Sequence, residues 1–403
     1  MWIESTIAMR FLREGRAQTT MILLGIAVGV AVIVFVTALI RGLQSNIVER
    51  TLGTQSHIRV QAPDEINHLA PLPPDVTRLV LETRRAQRLR SINNWQQVVR
   101  ELDAFAAVKA VSPVTSGPAF ASRGNAVESV ALVGMDPERY QRIIALGEDI
   151  IAGQLRVGAG DAVIGRLLAD DLGVRVGDKI RLAAGGGREA RVNVAGIFEL
   201  GVRDLDQRYV YLDLKQAQSL LDLPGGVTVI DVTVRDIFGA DAVAARISSR
   251  MGLGAESWMQ SNAQLMNALR SQSLSTAMIS FFVAVSVAFG IASVLSIRVV
   301  QRTREIGILR AMGTRQRQMQ RVFLVQGAVL GFCGSAVGAF AGYGLVWVFN
   351  VFGPNLFYVP VAPTLVPAAM AIATLTGTFA AAVPARRAAR LDPVVAIRHV
   401  RAG

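Results

Sequence analysis

Three long stretches of the chain carry no charged residue: Ala17 to Ile40, Ser271 to Ile297, and Val322 to Ala385. In hydrocarbon every backbone N–H and C=O must be satisfied within its own segment, so stretches of this kind fold as helices. Crossing a bilayer core takes about 20 apolar residues. The first two stretches hold one span each, and the third, at 64 residues, holds two joined by a short turn. The expected spans are residues 18–40, 271–297, 322–349 and 364–385. An insert, residues 41–270, separates the first span from the second. It is large enough for one or two domains with cores of their own.

Charge gives the orientation. The net charge of +12 invites a nucleic-acid reading, but its distribution argues against one. Residues 41–270 hold 27 basic and 26 acidic side chains and are almost neutral. The other 15 basic and 4 acidic residues fall in segments 1–17, 298–321 and 386–403, which flank the apolar stretches. That is the positive-inside pattern. Both termini and residues 298–321 are therefore expected in the cytoplasm of a bacterial inner-membrane protein, with 41–270 and the turn 350–363 outside. Nucleic acid is not an expected partner; membrane lipid is. The first apolar run is too long for a cleaved signal and reads as an uncleaved anchor. Residues 1–17 put Ile3, Ile7 and Phe11 on one face with Trp2 near the start. This suits an amphipathic helix on the inner leaflet, or a continuation of the first span.

The insert alternates helical and strand texture. Trp95, Val98, Val99, Leu102 and Phe105 recur at helical spacing, followed by a strand-like Val108–Val111. Gly117-Pro118 reads as a turn, and Arg123-Gly124-Asn125 as a hairpin loop whose second arm is Ser129–Val133. Further expected elements are a helix over Gly165–Leu172, strands over Arg191–Phe198 and Tyr209–Leu212, and a helix Leu214–Leu221 capped by Asp213. A β-branched run, Val227–Val234, and a helix Ala240–Met251 complete an α+β domain.

The segment Arg302-Thr303-Arg304-Glu305-Ile306-Gly307-Ile308-Leu309-Arg310-Ala311-Met312-Gly313 is more than a basic loop. Ile306, Leu309 and Met312 recur every three positions as a short apolar face, and Gly313 supplies a helix stop. A cytoplasmic helix with an apolar face between two spans is built to dock. Farther on, Asp392 can cap a helix that begins at Pro393 and runs through Val394 to Val400.

These residues resemble the FtsX/MacB-type permeases, the type VII ABC transporters. Their coupling-helix region matches Glu305 to Gly313, and their cytoplasmic tail matches Pro384 to Pro393. Trp258, Asn262, Leu265, Ala268 and Leu269, with Ile291-Ala292-Ser293, look most like the lipoprotein-releasing LolC/LolE permeases. Val163-Ile164-Gly165, Leu172-Gly173-Val174 and Gly177-Asp178 are shared with MacB-type domains. The resemblance implies a MacB-like periplasmic core domain in the insert. It also implies a partner ABC ATPase dimer that carries ATP and Mg2+, and a second permease protomer, identical or related. Ile306, Leu309 and Met312 would then fill a groove of the ATPase, with Arg302, Arg304, Glu305 and Arg310 at its rim.

Small residues pattern the spans. Gly25 and Gly29 form one pair, and Gly334, Gly338 and Gly342 a ladder suited to close helix packing; general glycine enrichment of membrane helices is the plainer reading. The turn residues Phe352, Leu356, Phe357 and Tyr358 read as interfacial aromatics and apolars, or as a cargo-contacting lip for an acyl chain. The lone Cys333 lies in the third stretch and offers no disulfide to the insert.

Several chemistries find no support. There is no GxxxxGK[ST], and Lys109, Lys179 and Lys215 are the only lysines, so no phosphate-cradling loop is present. His57, His68 and His399 are scattered, without a metal-ligand pattern. No GxSxG occurs, and no ionisable residue lies inside an expected span, which argues against ion coupling. No catalytic or metal site is expected. The expectation is a transport permease driven from outside the chain, extracting lipoprotein or similar lipid-anchored cargo by mechanotransmission, with a periplasmic carrier. The alternatives are tripartite efflux of a small molecule, peptide or glycolipid with an adaptor and outer-membrane channel, and a non-transporting regulator of a cell-wall hydrolase.

Overall fold

The computed structural model describes residues 8–10, 16–63, 89–353 and 358–390. It forms two compact units: Glu49–Met266, which carries the sheet, and a helical unit of Met1–Val48 with Asn267–Gly403. Helix α1 (Arg16–Gly53) leads into β1 (Ile58–Gln61). Then follow α2 (Trp95–Asp103), β2 (Val108–Arg123), β3 (Ala126–Met135), α3 (Pro137–Tyr140), β4 (Ile150–Gly153), β5 (Asp161–Gly165), α4 (Arg166–Leu172), β6 (Lys179–Ala184) and β7 (Glu189–Phe198). The sheet unit closes with α5 (Arg203–Arg208), β8 (Tyr209–Asp213), α6 (Leu214–Leu220), β9 (Val229–Val234), α7 (Ala240–Met251), β10 (Gly254–Ser257) and α8 (Trp258–Ser261).

Pairing runs β10-β1-β9-β2-β3-β8-β5-β7-β4, and β6 pairs with both β2 and β7. Strands β2, β3, β8, β5, β7 and β6 thus close into a ring, which removes the exposed edges that an open sheet would present. Its core joins Leu132, Ile164, Leu182, Val194 and Val210 of the strands to Leu168 of α4 and Leu220 of α6. Strands β9, β1 and β10 extend the sheet from the first half of β2.

Gly117-Pro118 does not turn the chain; both lie inside the 16-residue β2. The last residue of β2 paired with β9 is Val114, and the first paired with β6 is Ala119. On that side Pro118 sits in the gap between two partners, where the N–H it lacks is not needed by a ladder. Gly117 is small for packing, since a Cβ there would lie 2.7 Å from Leu221 and 2.8 Å from Leu89. The hairpin forms as expected, with Gly124 and Asn125 between Arg123 and its partner Ala126 and φ +59° at Gly124. Asp213 caps α6 by accepting the Lys215 N–H at 3.0 Å.

The helical unit continues with α9 (Ala263–Gln301), α10 (Thr303–Ala311), α11 (Gln316–Phe352), α12 (Leu365–Ala380) and α13 (Ala382–Ala389). Among the described residues, four segments are long and apolar enough to cross a membrane: α1, α9, α11, and α12 with α13. Ile22, Ile26, Val30, Val34 and Ala38 form the buried stripe of α1, one residue per helical turn. They pack on Leu330, Ala339 and Val346 of α11. Helix α11 is the centre of the unit and α9 its least embedded member: 56% of the apolar window of α11 is buried, against 11% for α9.

Candidate functional site

The glycines of α11 explain why it is central. A Cβ at Gly334 would lie 2.7 Å from Ile26, one at Gly338 2.5 Å from the Ala27 carbonyl oxygen, and one at Gly342 2.9 Å from Val34. Backbone-to-backbone approach of α1 and α11 therefore needs all three. Gly29 meets Val287 of α9 at 2.9 Å in the same sense, whereas Gly25 has nothing within 4 Å. Gly25 is not a packing glycine within the chain. Sequence reading missed the second seam, in which Gly327 and Gly331 of α11 face Gly377 and Ala373 of α12. Gly327 and Gly331 are also four residues apart, in a register one residue off that of Gly334, Gly338 and Gly342, and were legible; their partners were not.

Helix α10 stops at Gly313, whose φ of +97° is reserved in practice for glycine, and the Thr314 N–H bonds the Leu309 carbonyl. The structure separates the residues grouped by their three-residue spacing. Ile306 is fully buried among Val299, Met319, Phe323, Ala385 and Ala388, so it cannot fill a partner's groove. Leu309 is half-buried in the same cluster, and Met312 is 72% exposed. Arg310 is not a rim residue either, because its Nη1 donates to the Ala389 carbonyl at 3.0 Å at the end of α13. Arg302 pairs with Glu305 at 3.0 Å within the helix. The outward face is Arg304, Glu305, Ile308, Ala311 and Met312. A three-residue spacing drifts around an α-helix, so its ends cannot share one face. Ile308, one turn below Met312, was missed for that reason.

A buried cation tightens this end of the bundle. Arg298 of α9, 5% exposed, donates to Thr19 Oγ1 at 2.6 Å and to Gln18 Oε1 at 3.4 Å at the start of α1.

An apolar groove of about 530 Å³ opens between α1, α9 and α12. Gly29 and Ile33 form one wall, Phe281 and Ala284 a second, Ala369 and Ile372 the third. The polar side chains lining it are Ser280 and Thr376. Near the end of α11, Asn350 accepts the Val359 N–H at 3.0 Å and donates to the Val359 carbonyl at 3.1 Å. This pins the returning chain and leaves Phe352 and Tyr358 78% and 75% exposed. Leu356 and Phe357 lie outside the described residues, as do Trp2, Ile3, Ile7, Phe11 and the tail from Leu391 onward.

The description "MacB-like periplasmic core domain" matches residues 19–250, more than half of the chain, and "FtsX-like permease C-terminal" matches residues 277–393. The lipoprotein-releasing system transmembrane protein LolC of Neisseria meningitidis serogroup B is 23% identical over 436 residues, covering 98% of this chain and 99% of LolC. The macrolide export ATP-binding/permease protein MacB of Shewanella oneidensis is 26% identical over 414 residues. That match covers 95% of this chain but only 58% of MacB. The solved periplasmic region of MacB from Actinobacillus actinomycetemcomitans is similar over 54% of this chain and 95% of its own length, at 14% identity and a TM-score of 0.35. The chain is thus a membrane permease of an ABC-type transporter and belongs to the family of FtsX-like permeases with a MacB-like periplasmic core domain.

Proposed function

We propose that this permease extracts lipidated protein, or a similar lipid-anchored cargo, from the inner membrane, using ATP and Mg2+ bound by a partner ATPase dimer. The observation that carries this reading is the groove between α1, α9 and α12. An acyl chain leaving the bilayer for water loses about 0.8 kcal/mol per CH2. A groove lined by Ile33, Phe281, Ala284 and Ile372 keeps the chain in apolar surroundings while the protein it anchors is lifted. The end-to-end similarity to a protein named for lipoprotein release points the same way.

In this reading both termini and α10 are cytoplasmic and residues 41–270 periplasmic. The ATPase docks on Arg304, Glu305, Ile308 and Met312. Its closure is delivered through Ile306, packed against Phe323 and Ala385, and through Arg310, bonded to Ala389. Those contacts move α11 and α13 with α10, where a loosely attached helix would slip. A second permease protomer, identical or related, supplies the other half of the cavity. Phe352 and Tyr358 line its outer lip, and a periplasmic carrier receives the cargo.

The second reading, export of a small molecule, peptide or glycolipid with an adaptor and an outer-membrane channel, is favoured by the similarity to MacB. A groove whose polar side chains are one Ser and one Thr offers little to orient a polar solute.

Purification in mild detergent with mass spectrometry of the retained proteins separates the two. The expected result is an ATPase together with lipoprotein that is lost when ATP and vanadate are added. Recovery of an ATPase with a periplasmic adaptor and no lipoprotein would overturn lipoprotein extraction in favour of efflux.

A further inference from the structure

Among the described residues two acidic side chains are buried in the sheet unit, and they are held differently. Asp206, 4% exposed, accepts the backbone N–H groups of Leu200 and Gly201 and shapes their loop. Asp231, 5% exposed, lies in β9 between Ile230 and Val232, both fully buried. A β-branched apolar residue would suit that strand position better. Its carboxylate accepts the Ser56 hydroxyl at 2.6 Å and lies 3.7 Å from Arg59 Nε. Both partners belong to Ser56–Arg59, which covers the end of the four-residue link between α1 and β1 and the start of β1 itself. Burial pushes the Asp231 carboxyl above its ordinary range, with Arg59 and Ser56 opposing. The carboxylate is thus kept at a cost, and what it holds is one short segment.

Other bonds converge on the same segment. The His57 carbonyl accepts the Trp258 N–H at 2.9 Å, and His57 Nδ1 lies 3.2 Å from both the backbone N and the carbonyl oxygen of Val234. Trp258, 2% exposed, is anchored by Nε1 to the Ile237 carbonyl at 2.8 Å. Ile58 pairs with Ser257 on one side and Val232 on the other. The chain enters the sheet through Ser56–Ile58 and leaves it through Ser257–Trp258, and the two passages are fastened together at His57.

We propose that Asp231 is a positioning residue for transport: it latches Ser56–Arg59 to β9, so that movement of α1 is passed to the sheet instead of being taken up in the link. This rests on the ATPase-driven reading above. Without the latch, β1 is held by its ladder to β9 and β10 alone, so the strand opens more readily and the link that enters it is free to swing.

The test uses the full-length permease with its co-purified ATPase in proteoliposomes, and a triacylated fluorescent peptide as the cargo probe. With Asp231→Ala, amides of Ile58–Gln61 are expected to exchange hydrogen about tenfold faster or more, with β3 and β7 unchanged. Probe released per ATP should fall by a similar factor while ATP hydrolysis continues. Asp231→Asn, whose amide oxygen still accepts from Ser56, should behave like the parent. Ser56→Ala combined with Asp231→Ala should lose no more than Asp231→Ala alone. Exchange that rises across the whole sheet, or release per ATP that survives Asp231→Ala, overturns the latch. If the parent releases no probe on ATP, lipid-cargo extraction is what fails, and the exchange pattern by itself decides whether Asp231 holds β1.

Discussion

At the scale of single residues, the membrane unit is decided by where a Cβ can fit. Gly338 faces the Ala27 carbonyl oxygen at 2.5 Å from a Cβ position, so any larger side chain must push α1 and α11 apart. Gly338→Val is expected to destabilise the permease by about 1–3 kcal/mol or more through overpacking, lowering the detergent-solubilised yield and the thermal unfolding midpoint. Gly25→Val meets nothing within 4 Å and should leave both unchanged. Equal losses from the two variants would show that the α1–α11 seam is not what the glycines serve. A defect of Gly25→Val confined to assembly would place that glycine against a second protomer. The sequence displays both glycines in the same small-residue pattern. Only the packing tells the buried one from the exposed one.

At the scale of elements, α10 has one face packed in the bundle and one exposed. Ile306 closes a cluster shared by α9, α10, α11 and α13, and a charge there is buried without a partner. Ile306→Asp is therefore expected to cost about 3 kcal/mol or more and to deplete the protein from the membrane. Met312→Asp, at 72% exposure, should leave membrane levels intact and reduce the ATPase recovered on purification. Quantifying both proteins in membranes and in eluates checks this pair. If Met312→Asp and Ile308→Asp both retained the full complement of ATPase, the outward face of α10 would not be the docking face. Helix α10 and its glycine stop were legible from spacing and sequence. Which apolar residues turn inward was not, because α11 and α13, which cover Ile306, reach it only through the tertiary fold.

At the scale of the whole molecule, stability should carry the signature of buried titratable groups in the sheet unit. Burial raises the Asp231 carboxyl above its ordinary value near 3.8. Folding favours its protonated form, so its contribution is fully present below that ordinary value and is lost as pH rises through the folded one. His57 has the opposite sign. Burial lowers it from 6.5, so its contribution is present above that value and is lost as pH falls through the lower folded one. Asp231→Asn removes the first dependence. The full-length variant should be at least as stable as the parent at neutral pH, and the parent should gain on it as pH falls toward the ordinary carboxylate value of 3.8. Thermal unfolding in detergent across that range measures the difference. A variant less stable by one fixed amount at every pH would mean that the carboxylate is well accommodated when charged.

The sequence by itself determined the membrane class, the four apolar helices, the inserted α+β domain and the basic segments that flank the spans. Each follows from local quantities: an uncharged run longer than a bilayer core, alternation or helical recurrence of apolar residues, and the positions of arginines. Tertiary structure decided the rest. The ring from β2 through β6 closes because residues far apart in the chain pair along β2, and that same closure makes Gly117-Pro118 a strand where local chemistry reads a turn. The groove exists because α1, α9 and α12 converge on Gly29 and Ala284. The hydroxyl that Asp231 accepts from belongs to a serine 175 positions away. Local patterns fix what a segment is, whereas burial and partnership depend on what folds against it, and no single stretch of sequence contains that information.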